Sequence, residues 1–137
     1  MNIALDAEAL CPQRSYPYDA GLDLKSPIDI TIPPRGSAVI NTGVHVGIPE
    51  GYAGFLKSKS GLNVKYNITS EGVIDAGYTG AIHCKLYNHG DEPYMVQRGD
   101  RITQLVILPI LLGGFTLVEK IDDGSQRGNG GFGSTGR

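Results

Sequence analysis

The sequence predicts an all-β domain of the sandwich, jelly-roll or barrel kind, followed by a glycine-rich arm. Three observations carry this reading. Apolar residues recur with period two in short runs, residues that favour turns separate the runs, and no segment holds a helical stripe longer than two turns.

Taken in order, Ile28, Ile30 and Ile32 alternate with Asp29 and Thr31 until Pro33-Pro34-Arg35-Gly36 ends the strand. Val44, Val46 and Ile48 alternate next and stop at Pro49-Glu50-Gly51. Ile82, Cys84 and Leu86 alternate with His83, Lys85 and Tyr87 as far as Asn88-His89-Gly90-Asp91. Tyr94 to Val96 ends at Arg98-Gly99-Asp100, and the most apolar strand, Ile102 to Leu108, follows. The chain of 137 residues is long enough for one domain with a core. Eight of the 20 glycines fall between Gly113 and Gly136. The chain therefore divides into a β domain, 1–120, and a flexible arm, 121–137, that cannot build a core by itself.

Composition excludes several classes. A net charge of −2 argues against a broad basic face for nucleic acid. Cys11 and Cys84 make neither a disulfide framework nor a cysteine zinc site, which suits a reducing compartment. The start, MNIALDAEAL, has no basic region of a secretory signal, and the apolar run Leu105 to Leu112 is broken by Pro109 and too short to span a bilayer. The expectation is a soluble, intracellular protein with no membrane or nucleic-acid partner.

Candidate chemistry is scattered. Asp75 and Tyr78 lie in Gly72-Val73-Ile74-Asp75-Ala76-Gly77-Tyr78-Thr79-Gly80, read as a tight hairpin. Asp75 there can activate a water, or can be a turn aspartate beside a packing tyrosine. Asp23, in Asp19-Ala20-Gly21-Leu22-Asp23-Leu24, can hold Mg²⁺ directly or through water, or can be a turn residue before a strand. Lys57-Ser58-Lys59-Ser60-Gly61-Leu62 can cradle phosphate or can be a solvated polar loop; it lacks the spacing of a Walker A loop. Arg98-Gly99-Asp100-Arg101 reads as a turn whose charges cap it. Gln104 interrupts an apolar face and needs a partner there. In the arm, Gly128, Gly130 and Gly133 satisfy GxGxxG, but no helix can follow, so a dinucleotide fold is rejected. Phe132, with Arg127, Ser134 and Thr135 around it, suits a segment that closes over an anionic, aromatic ligand. His45, His83 and His89 have no metal-ligand spacing and read as surface residues.

The order of these motifs resembles the homotrimeric dUTP pyrophosphatase (dUTPase) family. Five family motifs stand in sequence: AGLDL at 20–24, KSKSGL at 57–62, GVIDAGYTG at 72–80, RGDRITQL at 98–105 and RGNGGFGSTG at 127–136. The resemblance implies a jelly-roll-like β-clip fold, a homotrimer in the cytoplasm (or the host cytoplasm or nucleus for a viral copy), and Mg²⁺-dependent hydrolysis of dUTP to dUMP and pyrophosphate. Such an activity removes dUTP and supplies dUMP for thymidylate synthesis. It also implies roles. Asp75 matches the base that activates water, and Tyr78 the ring under the deoxyribose. Asp23 matches the carboxylate that holds waters of the Mg²⁺. Lys59, Ser60 and Gly61 match the phosphate-binding loop, and Gln104 an amide that positions phosphate and water. The backbone from Thr69 through Gly72, Val73 and Ile74 matches the uracil-reading edge, and His83 falls near a sugar contact. Arg127, Gly133, Ser134 and Thr135 match the arm's phosphate-binding segment, and Phe132 the ring that stacks on uracil. Two residues depart from the pattern: the family usually has arginine at Lys59 and an acidic residue at Gly77. The related dCTP deaminases share the fold and an IDxG signal like Ile74 to Gly77, but their general-base glutamate would align with Lys85, which cannot serve.

Overall fold

The computed structural model describes residues 1–121 together with Gly124, Gly128 and Gly130. Among them the chain runs through β1 (Ile3–Leu5), β2 (Gly21–Lys25), β3 (Ile30–Ile32), β4 (Ser37–Asn41), β5 (Val44–Val46) and β6 (Tyr52–Lys57). A single helix, α1 (Ser60–Tyr66), precedes β7 (Ile68–Ile74), β8 (His83–Asn88), β9 (Tyr94–Val96) and β10 (Arg101–Pro109). The domain is all-β, as its alternations predict.

Six strands form one sheet in the order β2-β10-β6-β7-β8-β4, and β1-β5 and β3-β9 form two short ribbons. Every pairing is antiparallel. The period-two pattern does what a half-buried strand requires: Ile82, Cys84 and Leu86 are fully buried while His83, Lys85 and Tyr87 face outward. One core cluster gathers Leu22, Leu24, Leu56, Ile74 and Leu105, and a second gathers Ile32, Ile40, Ile68, Cys84, Leu86 and Ile102.

Three local details differ from expectation. The strand read from Ile28 begins only at Ile30, because Ser26 Oγ and the backbone of Ile28 close a turn (2.6 and 3.3 Å). The polar segment after Lys57 is not all loop. It enters α1, whose seven residues bury none of their number, so no stripe betrayed it. Asn67, left-handed at φ 56°, ends the helix.

The stretch from Gly72 to Gly80 is also not a tight hairpin. β7 pairs with β8 only through Ile68, Thr69 and Ser70. From Glu71 to Ile74 it pairs on its other side with β6. A wide loop, 75–82, therefore joins β7 to β8. At its start the amide of Tyr78 donates to the carbonyl of Asp75 (3.2 Å), and Gly77 takes φ +85°, as the third position of a type II turn demands. Gly77 thus fits its turn by conformation.

Candidate active site

Two clusters of polar side chains stand out, one at each end of β6. The first is built on Asp23, which lies inside β2 and not in a turn. Its strand pairs with β10 and bridges to Gln13, so the side chain has only 5% of its surface exposed. A carboxylate so enclosed needs compensating charge. Lys59 Nζ donates to Oδ1 at 2.5 Å, and Arg101 Nη1 approaches Oδ2 at 3.4 Å while also donating to Ser15 Oγ at 2.7 Å.

Lys59 is also the residue that caps α1, with its side chain turned to Asp23 and no side-chain cap of its own. The amides of the first turn, Ser60 and Gly61 among them, have no acceptor within the helix. Both residues are exposed, and a Cβ on Gly61 would meet nothing within 4 Å. Gln104 finds the partner its position demands. Its Nε2 donates to the Ser58 carbonyl (3.1 Å), and its Oε1 fills the space that a Cβ on Gly21 would need. Below it, Ser70 and Thr103 join their buried hydroxyls at 2.8 Å, and Thr103 donates to the Lys57 carbonyl at 3.1 Å.

The second cluster lines a cleft of about 240 Å³ formed by Val73, Ile74, Asp75, Tyr78 and His83. Because β7 leaves β8 after Ser70, its edge from Glu71 to Ile74 carries backbone groups that no strand pairs on the β8 side. Tyr78 folds back over the loop, its hydroxyl donating to the Ala81 carbonyl at 3.0 Å. His83 Nδ1 donates to the same carbonyl at 3.1 Å. Asp75 is exposed at the mouth.

Several expected residues do not join either cluster. Thr69 is paired with Tyr87 in the ladder, and its hydroxyl bonds His89 Nε2 at 2.7 Å. It lines a separate groove of about 610 Å³, and Gly72 borders that groove as well. Arg127, Phe132, Gly133, Ser134 and Thr135 lie outside the described residues.

Other functional neighbours escape a reading of the sequence. Arg101 follows a turn that Asp100 caps (Gln97 N to Oδ2, 2.9 Å), yet its own guanidinium reaches Asp23. His45 is not a bland surface residue: it bonds the Thr79 carbonyl and Asp6. Neither had a local signal, since both partners are remote in sequence. Cys84 is no nucleophile, because burial pushes its thiol up to about 12.

Among the described residues no group of three or more His, Cys, Asp or Glu could hold a metal. Asp23 is a lone carboxylate flanked by two cations. That donor set does not fit a protein-caged ion. It does fit Mg²⁺ that keeps its waters and takes most of its ligands from phosphates. No helix among the described residues is long and apolar enough to cross a membrane.

The pairing register measures the gap between clusters. Ile74 pairs with Gly54 and Glu71 with Lys57, so Asp75 stands level with Ala53. The end of β6, Lys57, lies four residues further along, about 13 Å at the rise of a strand, and Asp23 on β2, to which Lys59 turns, lies three strand spacings from β7, about 14 Å across the sheet.

Comparison with known proteins agrees with this fold. The family model described as dUTPase matches residues 7–136. A deoxyuridine 5'-triphosphate nucleotidohydrolase of Tropheryma whipplei (strain Twist) is 45% identical over 130 residues, covering 92% of this chain and 88% of its own. One from Arabidopsis thaliana is 42% identical over 133 residues, covering 96% and 80%. The dUTPase of Staphylococcus bacteriophage 80alpha, solved with dUPNHPP, superposes with a TM-score of 0.91 at 34% identity, covering 99% of this chain and 98% of that one. A point mutant of the dUTPase from S. aureus phage phi11, described with a structural Mg(II) ion, gives 0.80 at 32% identity, covering 87% and 96%.

Proposed function

The chain belongs to the dUTPase family, and from that premise we propose that its two clusters act on one dUTP as halves of a site completed between copies of the chain. The reaction is hydrolysis of dUTP to dUMP and pyrophosphate.

The observation that carries the proposal is the separation of the two clusters along and across the sheet. Asp75 and Lys59 both have to reach one phosphate chain, and with Lys59 turned to Asp23 a gap of about 20 Å is too far for that within one copy. A homotrimer with three shared sites brings the Asp75 end of one chain to the Lys59 end of another.

In this reading Asp75 takes a proton from water as its oxygen attacks the α-phosphorus, and the bond from that phosphorus to the bridging oxygen breaks, releasing pyrophosphate. Tyr78 supports the deoxyribose and leaves no room for a 2′-hydroxyl. The open edge of β7, Val73 and Ile74 above all, reads the uracil with backbone donors and acceptors, and His83 borders the sugar. Lys59 and the uncapped amides of Ser60 and Gly61 bind phosphate oxygens, while Gln104 helps orient phosphate and water. Asp23 holds waters of the Mg²⁺ that arrives with the substrate. When bound, that ion neutralises phosphate charge. The arm closes over the site, with Phe132 on the base and Arg127, Ser134 and Thr135 on the phosphates around Gly133.

Mixing two inactive variants tests the sharing directly. Asp75→Asn and Lys59→Ala chains, unfolded and refolded together, should recover dUTP turnover because some mixed sites carry neither lesion. Recovery no greater than in either variant refolded alone, or light scattering that reads a monomer at micromolar concentration, overturns the shared site.

A further inference from the structure

Between Asp75 and Ile82 the loop departs from β7 and returns to a buried anchor. Ile82 is fixed there: its amide donates to the Val44 carbonyl (2.8 Å), and its carbonyl accepts from the amide and hydroxyl of Thr42 (3.0 and 2.8 Å). Next to Val44 stands His45, and its ring reaches the middle of the loop. Nδ1 lies 2.8 Å from the Thr79 carbonyl, and Nε2 lies 3.1 Å from Asp6 Oδ1. Asp6 is itself fixed, its amide donating to the Gly43 carbonyl at 2.9 Å.

A carbonyl and a carboxylate both accept. The two contacts are therefore satisfied together only when both ring nitrogens carry protons. Either neutral tautomer turns a lone pair toward one acceptor and loses that bond. Around the ring, the turn after β1 contributes Asp6, the loop contributes the Thr79 carbonyl, and β5 contributes no other charge. The Thr79 carbonyl first, and Asp6 second, hold the imidazole above its ordinary value.

We propose that His45 is a positioning residue that clamps the loop through the Thr79 carbonyl and so sets how firmly Tyr78 excludes a 2′-hydroxyl. This rests on the reading of Tyr78 as the ring beneath the sugar. Tyr78 adjoins Thr79, and its further bonds among the described residues lie within the loop, to Asp75 and Ala81. Releasing Thr79 thus frees the backbone that aims the ring. The clamp is complete below the ordinary imidazole range. It weakens as pH rises through the raised value of His45, since the folded state then loses the proton it favours.

The test is the ratio of kcat/KM for dUTP to that for UTP, measured from about pH 5 to pH 9. Any effect of pH on the chemical step that the two substrates share cancels in the ratio. Wild type should lose discrimination on the alkaline side. His45→Ala should lower the acid-side ratio by about tenfold, the scale of one charge-assisted hydrogen bond, and should flatten its pH dependence. Asp6→Asn, which keeps the ring, should move the transition to lower pH. A pH-independent ratio in wild type, or a ratio unchanged in His45→Ala while Tyr78→Ala narrows it, overturns the clamp. If Tyr78→Ala leaves the ratio unchanged as well, the sugar-facing role of Tyr78 fails, and the clamp fails with it.

Discussion

The phenol of Tyr78 occupies the space that a Cβ on Gly80 would need, and its hydroxyl donates to the carbonyl of Ala81 at 3.0 Å. Two glycines of one loop are therefore favoured for different reasons. Gly77 has open space but a φ of +85°. Gly80 has no positive φ but no room.

Substituting each with alanine should separate these constraints. Gly80→Ala should push the Tyr78 ring aside and narrow the preference for dUTP over UTP toward that of Tyr78→Ala. Gly77→Ala should instead lower stability by about 1 kcal/mol, from the strained φ. Urea titrations and paired substrate kinetics read the two effects. Equal selectivity in wild type and Gly80→Ala would remove the ring from sugar recognition.

Asp75 is exposed beyond the end of β7 and bears no part of the core. Asp75→Asn should therefore keep the melting temperature and most of the dUTP affinity. An amide cannot accept the proton of the attacking water, so turnover should fall by about 10² to 10⁴. Calorimetric titration with a non-hydrolysable dUTP analogue, beside single-turnover kinetics, checks both halves. Wild-type turnover in the variant would take Asp75 out of the reaction.

The pair of Lys59 and Asp23 is unequal. The lysine side chain is 26% exposed and the carboxylate 5%. Among the described residues, losing the lysine leaves Asp23 enclosed with Arg101 at 3.4 Å as its one cation, whereas losing the carboxylate leaves two cations that water can reach. Lys59→Ala should thus destabilise by about 1–3 kcal/mol and Asp23→Asn by less. Both should raise KM for Mg-dUTP. Chemical denaturation curves in which Asp23→Asn is the weaker protein would reverse this ordering.

The fold was legible where its signal is local. Alternation at Ile82, Cys84 and Leu86, or at Ile102 to Leu108, is a property of neighbours in sequence, and strands run there from His83 and from Arg101, with Ile82 just ahead of the first. The helix was not legible, because Leu62 alone packs on the core from α1 and one residue makes no stripe. The width of the loop after Asp75 was not legible either. It depends on β7 changing partners from β8 to β6 at Glu71, a choice made by strands far apart in the chain. The same holds for the site. Gln104 announced itself as a polar residue on an apolar face. Arg101 and His45 could not, since their partners are 78 and 34 residues away.

The segment after β10 divides into two parts of different character. Past Pro109 the chain forms no further strand among the described residues. Its apolar side chains are uncovered on a single copy: Leu111 is 99% exposed, Phe115 95% and Leu117 92%. So much apolar surface along one short segment is characteristic of a surface that another chain covers. Residues 125–137 hold the cation, hydroxyls and ring proposed to close the site, and few apolar groups besides Phe132. Two truncations should therefore differ in kind. Ending the chain at residue 124 should leave the proposed trimer and its melting temperature intact while turnover collapses, because the proposed site no longer closes over substrate. Ending it at residue 110 should also weaken assembly, since burial of those side chains against a neighbour is lost. Light scattering over a dilution series, beside thermal melts, distinguishes the two. A stable trimer in the shorter protein would show that 111–121 does not hold the copies together. A large loss of melting temperature in the longer one would make 125–137 a structural element and not a lid.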